Sequence, residues 1–429
     1  MSRRIPAFVA LGALTTMSAL VAANADAATQ HHRPAYGPAA APTVRAESRA
    51  THKAGSVALF GAQNSRFHAA KGLTGAKARK TALFDLGSGT SYAAAINPVG
   101  GKDGLLCADR DTVYPVHHLR TEPALTATNI DGSGFSGEGG PTFGFFCEGL
   151  AMHGSFALAT GDSQGLAQLI RKHGHWKIDR RVQSPGLNEA GNPHRPGWID
   201  FRNSLAKVAT EFNNVVIAPK AQHNGKYLAV AIDRLDQTLV VVQGAGTGTP
   251  KAVGALEGAA LANGTVNDGN TGIAFLPSSP NRAVIVTTKG FAVLDLRTPS
   301  HPRLREKTEV GGGSIQPSSL TISANGDHIA VSAGARVYGY RNVVAAVTHG
   351  KPFHLQTSFR LHPGGHESVS DVAYTSHKRL VVLHGDSNSP ADWFLTLVDK
   401  VQAGHHAVRG STRTTQPPQP GSLSVWPAT

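Results

Sequence analysis

Four copies of a three-strand pattern follow one another between Val215 and Val398, and this repeat restricts the fold more than any other feature. The first strand of each copy is short and apolar, and these strands are centred near Val216, Ile273, Leu320 and Val372. The successive spacings between these residues are 57, 47 and 52 residues. A repeat of roughly 40–50 residues with several strands per unit is typical of a β-propeller.

Each predicted unit is a small antiparallel sheet that cannot bury both of its faces alone. Stacking such sheets around an axis buries those faces, so each unit stabilises the next. Asn224-Gly225 and Asn325-Gly326 precede second strands, where a tight turn requires positive φ. The sequence therefore predicts an all-β chain folded as a single β-propeller. A β-sandwich with coincidental spacing is the alternative.

The N-terminal half repeats less regularly but is also rich in strand patterns, and it accounts for about three degenerate blades. With the four clear copies this predicts about seven blades, with six or eight as alternatives. The segment Ser422–Val425 is a candidate for closing the ring against the first blade. The predicted N-terminal strands are 56–60, 81–86, 91–96, 104–108, 112–116, 156–160 and 165–170.

The two ends of the chain differ in composition from the repeat region. Residues 1–27 resemble an export signal, with Arg3 and Arg4 before an apolar run and Ala25-Asp26-Ala27 as the cleavage site. This predicts a secreted or periplasmic protein without a transmembrane segment after cleavage; an uncleaved anchor helix is the alternative. The rest of the chain is predicted to contain a disordered leader at 28–55, a propeller at 56–404 and a flexible C-terminal tail at 405–429. The tail could include the ring-closing strand.

The chain has two cysteines, Cys107 and Cys147. In an exported protein such a pair favours a disulfide over a catalytic thiol, and two buried free thiols are the alternative. The bond would hold the glycine-rich segment between them.

The chain is strongly basic, with a formal charge of +13. Removing residues 1–27 takes away two arginines and one aspartate, which leaves +12. Such a charge favours an anionic polymer, a glycan or an acidic protein as partner. No recognised nucleic-acid motif is present, and the basic residues look scattered along the sequence rather than clustered. Charge that serves only solubility is the alternative.

Propellers commonly bind ligands where loops enter the inner strands, and this analogy selects the polar residues near those strands. For ligand binding it selects Asn214, Thr271 and Ser319. For catalysis it selects Glu148, His153, Asp371 and His384, and an enzyme would bring these four side chains together. Strand caps or contacts to channel water are the alternative roles.

Metal binding and other chemistry have weaker support in the sequence. Histidine pairs such as His362 and His366 suggest a divalent metal as a cofactor, but Pro363-Gly364-Gly365 rules out a shared helical face. The glycine-rich segment 131–140 includes two acidic residues that could offer oxygens to calcium, although it lacks the EF-hand pattern. No Gly-x-Ser-x-Gly elbow between a strand and a helix and no phosphate-binding loop is found.

Segments of the repeat region resemble the YVTN-type propeller unit. The resemblance lies in Ala283–Leu296, in Tyr227–Asp233 followed by Thr238–Val242, and in Asn325–Val331. It implies a propeller over about 180 residues, and the family includes lactonases, whose catalytic residues do not map onto this chain. Two hypotheses follow: an exported binding protein with a basic surface and its ligand at the channel mouth, or a lactonase-like or metal-assisted hydrolase.

Overall fold

The protein is a seven-bladed β-propeller, as the repeat predicts. In the part of the chain that the structure describes, thirty strands form seven antiparallel sheets, accompanied by one short α-helix. The structure, a computed structural model, describes residues 43–46, 56–62, 66–86, 91–108, 112–125, 130–131, 147–161, 165–182, 199, 212–233, 238–256, 272–313, 317–361, 367–376, 379–386, 388–389, 392–414 and 422–426.

The first three blades come from the irregular half of the sequence. Blade 1 consists of β1 (Thr43–Ala46), β2 (Val57–Ala62), β3 (Arg66–Lys71) and β4 (Arg79–Asp85), together with the last strand of the chain, β30 (Ser424–Trp426). Blade 2 consists of β5 (Ser91–Ile96), β6 (Gly104–Ala108), β7 (Thr112–His117), β8 (Ala124–Leu125) and β9 (Ile130–Asp131). Blade 3 consists of β10 (Cys147–His153), β11 (Phe156–Gly161), β12 (Gly165–Lys172) and β13 (His175–Ile178).

The other four blades correspond to the four clear repeats. Blade 4 is β14 (Phe212–Ile217), β15 (Tyr227–Asp233), β16 (Thr238–Ala245) and β17 (Lys251–Leu256), and blade 5 is β18 (Ile273–Phe275), β19 (Arg282–Thr287), β20 (Gly290–Asp295) and β21 (Arg303–Glu309). Blade 6 is β22 (Pro317–Ile322), β23 (His328–Ala333), β24 (Arg336–Arg341) and β25 (His354–Phe359), with helix α1 (Val343–His349) before β25. Blade 7 is β26 (Glu367–Ser376), β27 (Arg379–Asp386), β28 (Trp393–Asp399) and β29 (Ala407–Thr414).

The last strand closes the ring, as predicted for Ser422–Val425. β30 pairs antiparallel with β2, so blade 1 takes its innermost strand from the end of the chain. The Ser422 hydroxyl accepts a hydrogen bond from the Gly61 amide at 2.9 Å, and the Ser424 hydroxyl accepts one from the Ile96 amide at 2.9 Å. The C-terminal segment is thereby joined to blade 1 and to the neighbouring blade 2.

The core lies between the blades. Seven clusters of buried apolar side chains occupy the seven interfaces between neighbouring blades. Between blades 5 and 6, for example, the Phe291 ring meets the rings of Tyr340 and Phe353 edge-on, each at 4.9 Å between centroids. Burial on both faces explains why the inner strands are apolar without strict alternation.

The repeat analysis missed the fourth, outermost strand of each regular blade. β21 is exposed along most of its length and has the sequence RLREKTE, so it lacks the apolar pattern that marks the inner strands. β29 lies within the segment predicted to be a flexible tail, and residues 407–414 instead form the outer strand of blade 7. Pairing with a preceding strand orders these polar segments.

The predicted turns have the expected backbone. Gly225 and Gly326 both adopt φ of 74°, the left-handed conformation that these positions require. No helix among the described residues is long and apolar enough to cross a bilayer.

Candidate functional site

A cavity of about 470 Å³ lies on the propeller axis. The innermost strands of all seven blades line it, namely β30, β5, β10, β14, β18, β22 and β26. Most of its lining is apolar side chain or strand backbone, and the polar side chains include those of Asn214, Ser318, Ser319, Thr321, Asp371 and Ser424. Three of the residues selected from the sequence, Asn214, Ser319 and Asp371, therefore border this cavity, which we call the axial cavity.

Ser319 and Asp371 are hydrogen-bonded to each other across blades 6 and 7. The Ser319 hydroxyl donates to Oδ1 of Asp371, and both residues are buried. Oδ1 also accepts from the Val372 amide at 2.9 Å, and Oδ2 accepts from the Leu423 amide at 3.1 Å. Leu423 immediately precedes the ring-closing strand β30.

These bonds give the Asp371 carboxylate a structural role. It joins the inner strand of blade 6, that of blade 7 and the segment that closes blade 1. A buried carboxylate needs such donors, because burial without them costs several kcal/mol, on the order of 3 or more. We call this set of contacts the closure network.

His384 belongs to a different chain of polar contacts, inside blade 7. Its Nδ1 lies 3.2 Å from Oε1 of Glu367, and its Nε2 lies 2.7 Å from the Thr396 hydroxyl. That hydroxyl is 2.7 Å from the hydroxyl of Ser411 on β29. The chain crosses the whole blade from its inner to its outer strand, and the imidazole is only 2% exposed. Burial at this level leaves no room for a substrate beside the ring.

His153 lies at the opposite end of the inner strands from Asp371. It is the last residue of β10, whereas Asp371 lies in the first half of β26. Its Nε2 is 3.2 Å from the Pro219 carbonyl oxygen, and its ring is 4.5 Å from that of Tyr227. Burial lowers the pKa of His153, although backbone hydrogen bonds oppose the shift. The imidazole thus helps to join blades 3 and 4.

The remaining candidates also occupy separate places. Glu148 is half-buried in a β-bulge near the start of β10 and does not line the axial cavity, and Asn214 lies beside a bulge in β14. Glu148 and His153 are five residues apart on one strand, which separates their Cα atoms by about 15 Å. The structure therefore joins Ser319 to Asp371 but does not gather the four catalytic candidates. Thr271 lies outside the described residues.

No group of three or more His, Cys, Asp or Glu side chains within the described residues is arranged to hold a metal ion. The histidines His362 and His366 and most of the glycine-rich segment, 132–140, lie outside those residues. The predicted divalent metal thus gains no ligand set from the described residues.

The predicted disulfide is present. Cys107 on β6 is bonded to Cys147, the first residue of β10, with a Cα–Cα distance of 5.7 Å. The bond links blade 2 to the inner strand of blade 3 and lies within the apolar cluster between them.

A second concave surface, which the sequence does not predict, lies at the outer edge between blades 3 and 4. This groove measures about 870 Å³ and is bordered by strands β12 and β13, the segment 179–181 and Gly246. We call it the rim groove. Five basic residues border it: Arg171, Lys172, Lys177, Arg180 and Arg181. The Arg171 side chain reaches Asp103 of blade 2. The prediction of scattered basic residues is wrong here, since these five lie within eleven consecutive residues.

The fold is shared with solved structures of low sequence identity. A periplasmic gluconolactonase from Pseudomonas aeruginosa is 11% identical, with a TM-score of 0.57, covering 86% of this chain and 98% of that one. A putative 6-phosphogluconolactonase from Bacteroides uniformis is 12% identical, with a TM-score of 0.56 and coverage of 86% and 99%. A functionally unknown protein from Desulfotomaculum acetoxidans is 13% identical, with a TM-score of 0.55 and coverage of 86% and 98%.

At these identities the likeness concerns the fold alone. No protein-family model matches the chain, and no curated protein matches it. The class defined here is therefore the seven-bladed β-propeller, and the YVTN-type relationship stays a resemblance of repeat sequences.

Proposed function

We propose that this protein is an exported β-propeller that binds an anionic partner through its basic surface. The observation that carries the proposal is the rim groove, a concave surface bordered by five basic residues, three of which have exposed side chains with no carboxylate partner among the described residues. The formal charge of the whole chain adds a long-range attraction for polyanions.

Two observations support export. The first 27 residues have the composition of a signal peptide, and the Cys107–Cys147 disulfide suits an oxidising compartment. The likeness to a periplasmic gluconolactonase agrees with this location. We infer a secreted or periplasmic protein.

The polar groups of the axial cavity favour binding over catalysis. Ser319 and Asp371 are occupied by the closure network, and His384 is enclosed within blade 7. A general acid–base pair needs to reach the substrate. Asp371 borders the axial cavity, but both of its oxygens already accept hydrogen bonds from the protein. The channel mouth remains a second place for a ligand in this proposal.

A lactonase-like hydrolase is the second candidate function. Its support is the fold likeness to two proteins described as gluconolactonases and the presence of a carboxylate, Asp371, beside the axial cavity. Lactone opening at the axis would depend on that carboxylate.

One purified sample of residues 28–429 tests both candidates. We expect retention on polygalacturonate-coupled resin at low salt, release between about 0.1 and 0.5 M NaCl as the charges are screened, and no hydrolysis of D-glucono-1,5-lactone above the spontaneous rate. Flow-through at low salt would overturn the binding function. Lactone hydrolysis that disappears in Asp371→Asn, with the fold intact, would establish the second candidate instead.

A further inference from the structure

We propose that the rim groove is the binding site, and that its ligand is a linear acidic polysaccharide. This inference rests on the proposed function, and it assigns that function to one site and one chemical class. Lys172, Lys177 and Arg180 would supply mobile positive charge, and Arg181 would supply a guanidinium held in a fixed position.

The rim groove has a surplus of positive charge. Lys172, Lys177 and Arg180 are exposed, and no carboxylate within the described part of the chain pairs with any of them. The other two cations are neutralised, Arg171 by Asp103 at 2.5 Å and Arg181 by Asp179 at 2.8 Å. The groove therefore carries three positive charges that no carboxylate among the described residues balances, and two more that are paired with aspartates.

The unpaired cations are spaced along the groove. Ile170 pairs with Lys177 and Lys172 pairs with His175 across the β12–β13 ladder. Lys172 and Lys177 are thus diagonal neighbours on one face of the hairpin, about 7–8 Å apart. Arg180 and Arg181 follow in the segment after β13. Cations spaced along a groove suit a ligand with repeated charges, whereas a small anion would require them to converge.

The ion pair between Asp179 and Arg181 makes one end of the groove rigid. The Asp179 side chain is fully buried, and it accepts from Nε and Nη2 of Arg181, each at 2.8 Å. Burial tends to raise the pKa of Asp179, but hydrogen bonds from Arg181 and Gln168 outweigh it and lower the pKa. Among the described residues no hydrogen bond uses Nη1 of Arg181, which leaves that donor for a ligand oxygen.

Gln168 fixes the two walls of the groove to each other. Its Nε2 donates to Oδ2 of Asp179 at 2.8 Å and to the Thr247 carbonyl at 2.7 Å, and its Oε1 accepts from the Gly246 amide at 2.8 Å. Gly246 has φ of 82°, and a Cβ there would lie 2.7 Å from the Phe156 ring. Blade 3 and the blade 4 turn therefore meet in one defined geometry, which reduces the entropy lost on binding.

The choice of a polysaccharide over a nucleic acid follows from the aromatic residues. Proteins that bind single-stranded nucleic acid stack bases on exposed aromatic rings. The two aromatic residues at the groove are buried, Phe156 at 6% exposure and Trp176 at 7%. An acidic polysaccharide needs charge and hydrogen bonds rather than stacking platforms, and such polymers occur outside the cell, where the proposed signal would send this protein.

The test compares two triple variants of the mature chain by calorimetric titration with polygalacturonate at low salt, with neutral dextran as a blank. K172A/K177A/R180A removes three cations from the rim groove. K289A/R303A/K307A removes three exposed cations from blade 5, so both variants lose the same net charge. We expect the groove variant to weaken binding at least about tenfold and the blade 5 variant less than about threefold, since local charge outweighs screened distant charge.

The other outcomes separate the site from the function. Equal weakening of polygalacturonate binding in the two variants would show that the rim groove is not the binding site. The binding function would then belong to the basic surface as a whole. Absence of binding by the unaltered chain would overturn both proposals. Tighter binding of a thymidine oligonucleotide than of polygalacturonate, lost in the groove variant, would keep the site and overturn the polysaccharide. Thermal unfolding of all three proteins checks that they are folded.

Discussion

A buried aspartate near the axis, Asp371, and a buried aspartate at the rim, Asp179, have different roles. Asp371 near the axis accepts from a hydroxyl and two backbone amides, all inside the protein. Asp179 at the rim accepts from Gln168 and from Arg181, whose side chain is 57% exposed. The Asp371 carboxylate holds the ring closed, whereas the Asp179 carboxylate orients the Arg181 guanidinium, which faces solvent. Burial of a carboxylate therefore does not by itself identify a catalytic site.

This comparison predicts that changes near the axis reduce stability most. The disulfide joins β6 to the inner strand β10 and closes a loop with a sequence separation of 40. In the chain-entropy model, C107S/C147S should lower the free energy of unfolding by about 4 kcal/mol. Urea denaturation measures the loss, and reduction of the unaltered protein should reproduce it. An unchanged midpoint in both experiments would show that the bond adds no stability.

Asp371→Ala should have the next largest effect. It leaves the buried Ser319 hydroxyl and the Leu423 amide without their acceptor, which should cost about 3 kcal/mol. Asp371→Asn keeps an acceptor oxygen and should cost about half as much. Denaturation of both variants measures the difference, while polygalacturonate binding by the folded fraction should stay unchanged. If Asp371→Ala unfolds at the same urea concentration as the parent, the closure network is not stabilising.

Asp179→Asn should have a smaller effect that depends on pH. The folded pKa of Asp179 lies below its ordinary value of 3.8, so its ionised form stabilises the protein above that pH. The contribution is lost as pH falls through the folded pKa, because the unfolded state has the higher pKa for this carboxyl and therefore binds the proton more tightly than the native state does. The variant should be about 2 kcal/mol less stable than the parent at pH 7.

The difference between these two proteins should shrink as the pH is lowered from about 4 toward 2. Urea titrations at several pH values measure it. The lowered pKa values of Asp295 and Asp399 act in both proteins and cancel in the comparison. A stability difference that stays constant with pH would contradict the linkage to Asp179. Polygalacturonate affinity should also fall, since Arg181 loses its fixed position.

The rim-groove variant K172A/K177A/R180A should have the smallest effect on stability, below about 0.5 kcal/mol. These side chains are exposed and make no ion pair among the described residues. Thermal unfolding measures the change. A large loss would mean that these cations support the blade rather than a ligand, and it would remove the contrast between axis and rim.

Much of the fold was predictable because the repeat reflects burial on both faces of the inner strands. The strand segments predicted around Val216, Ile273, Leu320 and Val372 all form the inner strands of blades. The outer strands are not predictable in this way because they are polar and exposed, and the sequence of β29 predicts a flexible tail instead. Their order comes from ladder hydrogen bonds to a neighbouring strand, which leave no apolar period in the sequence.

The candidate sites were predictable only in part. Asn214, Ser319 and Asp371, selected for their position on inner strands, line the axial cavity, whereas the bond from Ser319 to Asp371 spans 52 residues and has no signal in the sequence. His153 was assigned to the same mouth although strand direction carries it to the other end. The rim groove had a local signal, the basic run from Arg171 to Arg181, which a count over the whole chain concealed.

The sequence alone determined the class of fold and the blade number to within one, and it predicted the ring-closing segment and the disulfide pair. These depend on periodic apolar residues and on the count of cysteines, which are local or additive properties. Only the tertiary structure decided which charged and polar groups from distant segments contact one another. The closure network joins residues of two inner strands and the segment just before a third, and the rim groove needs a turn of blade 4 against a hairpin of blade 3. Contacts between distant segments depend on how the blades pack around the axis, and no local pattern encodes that geometry.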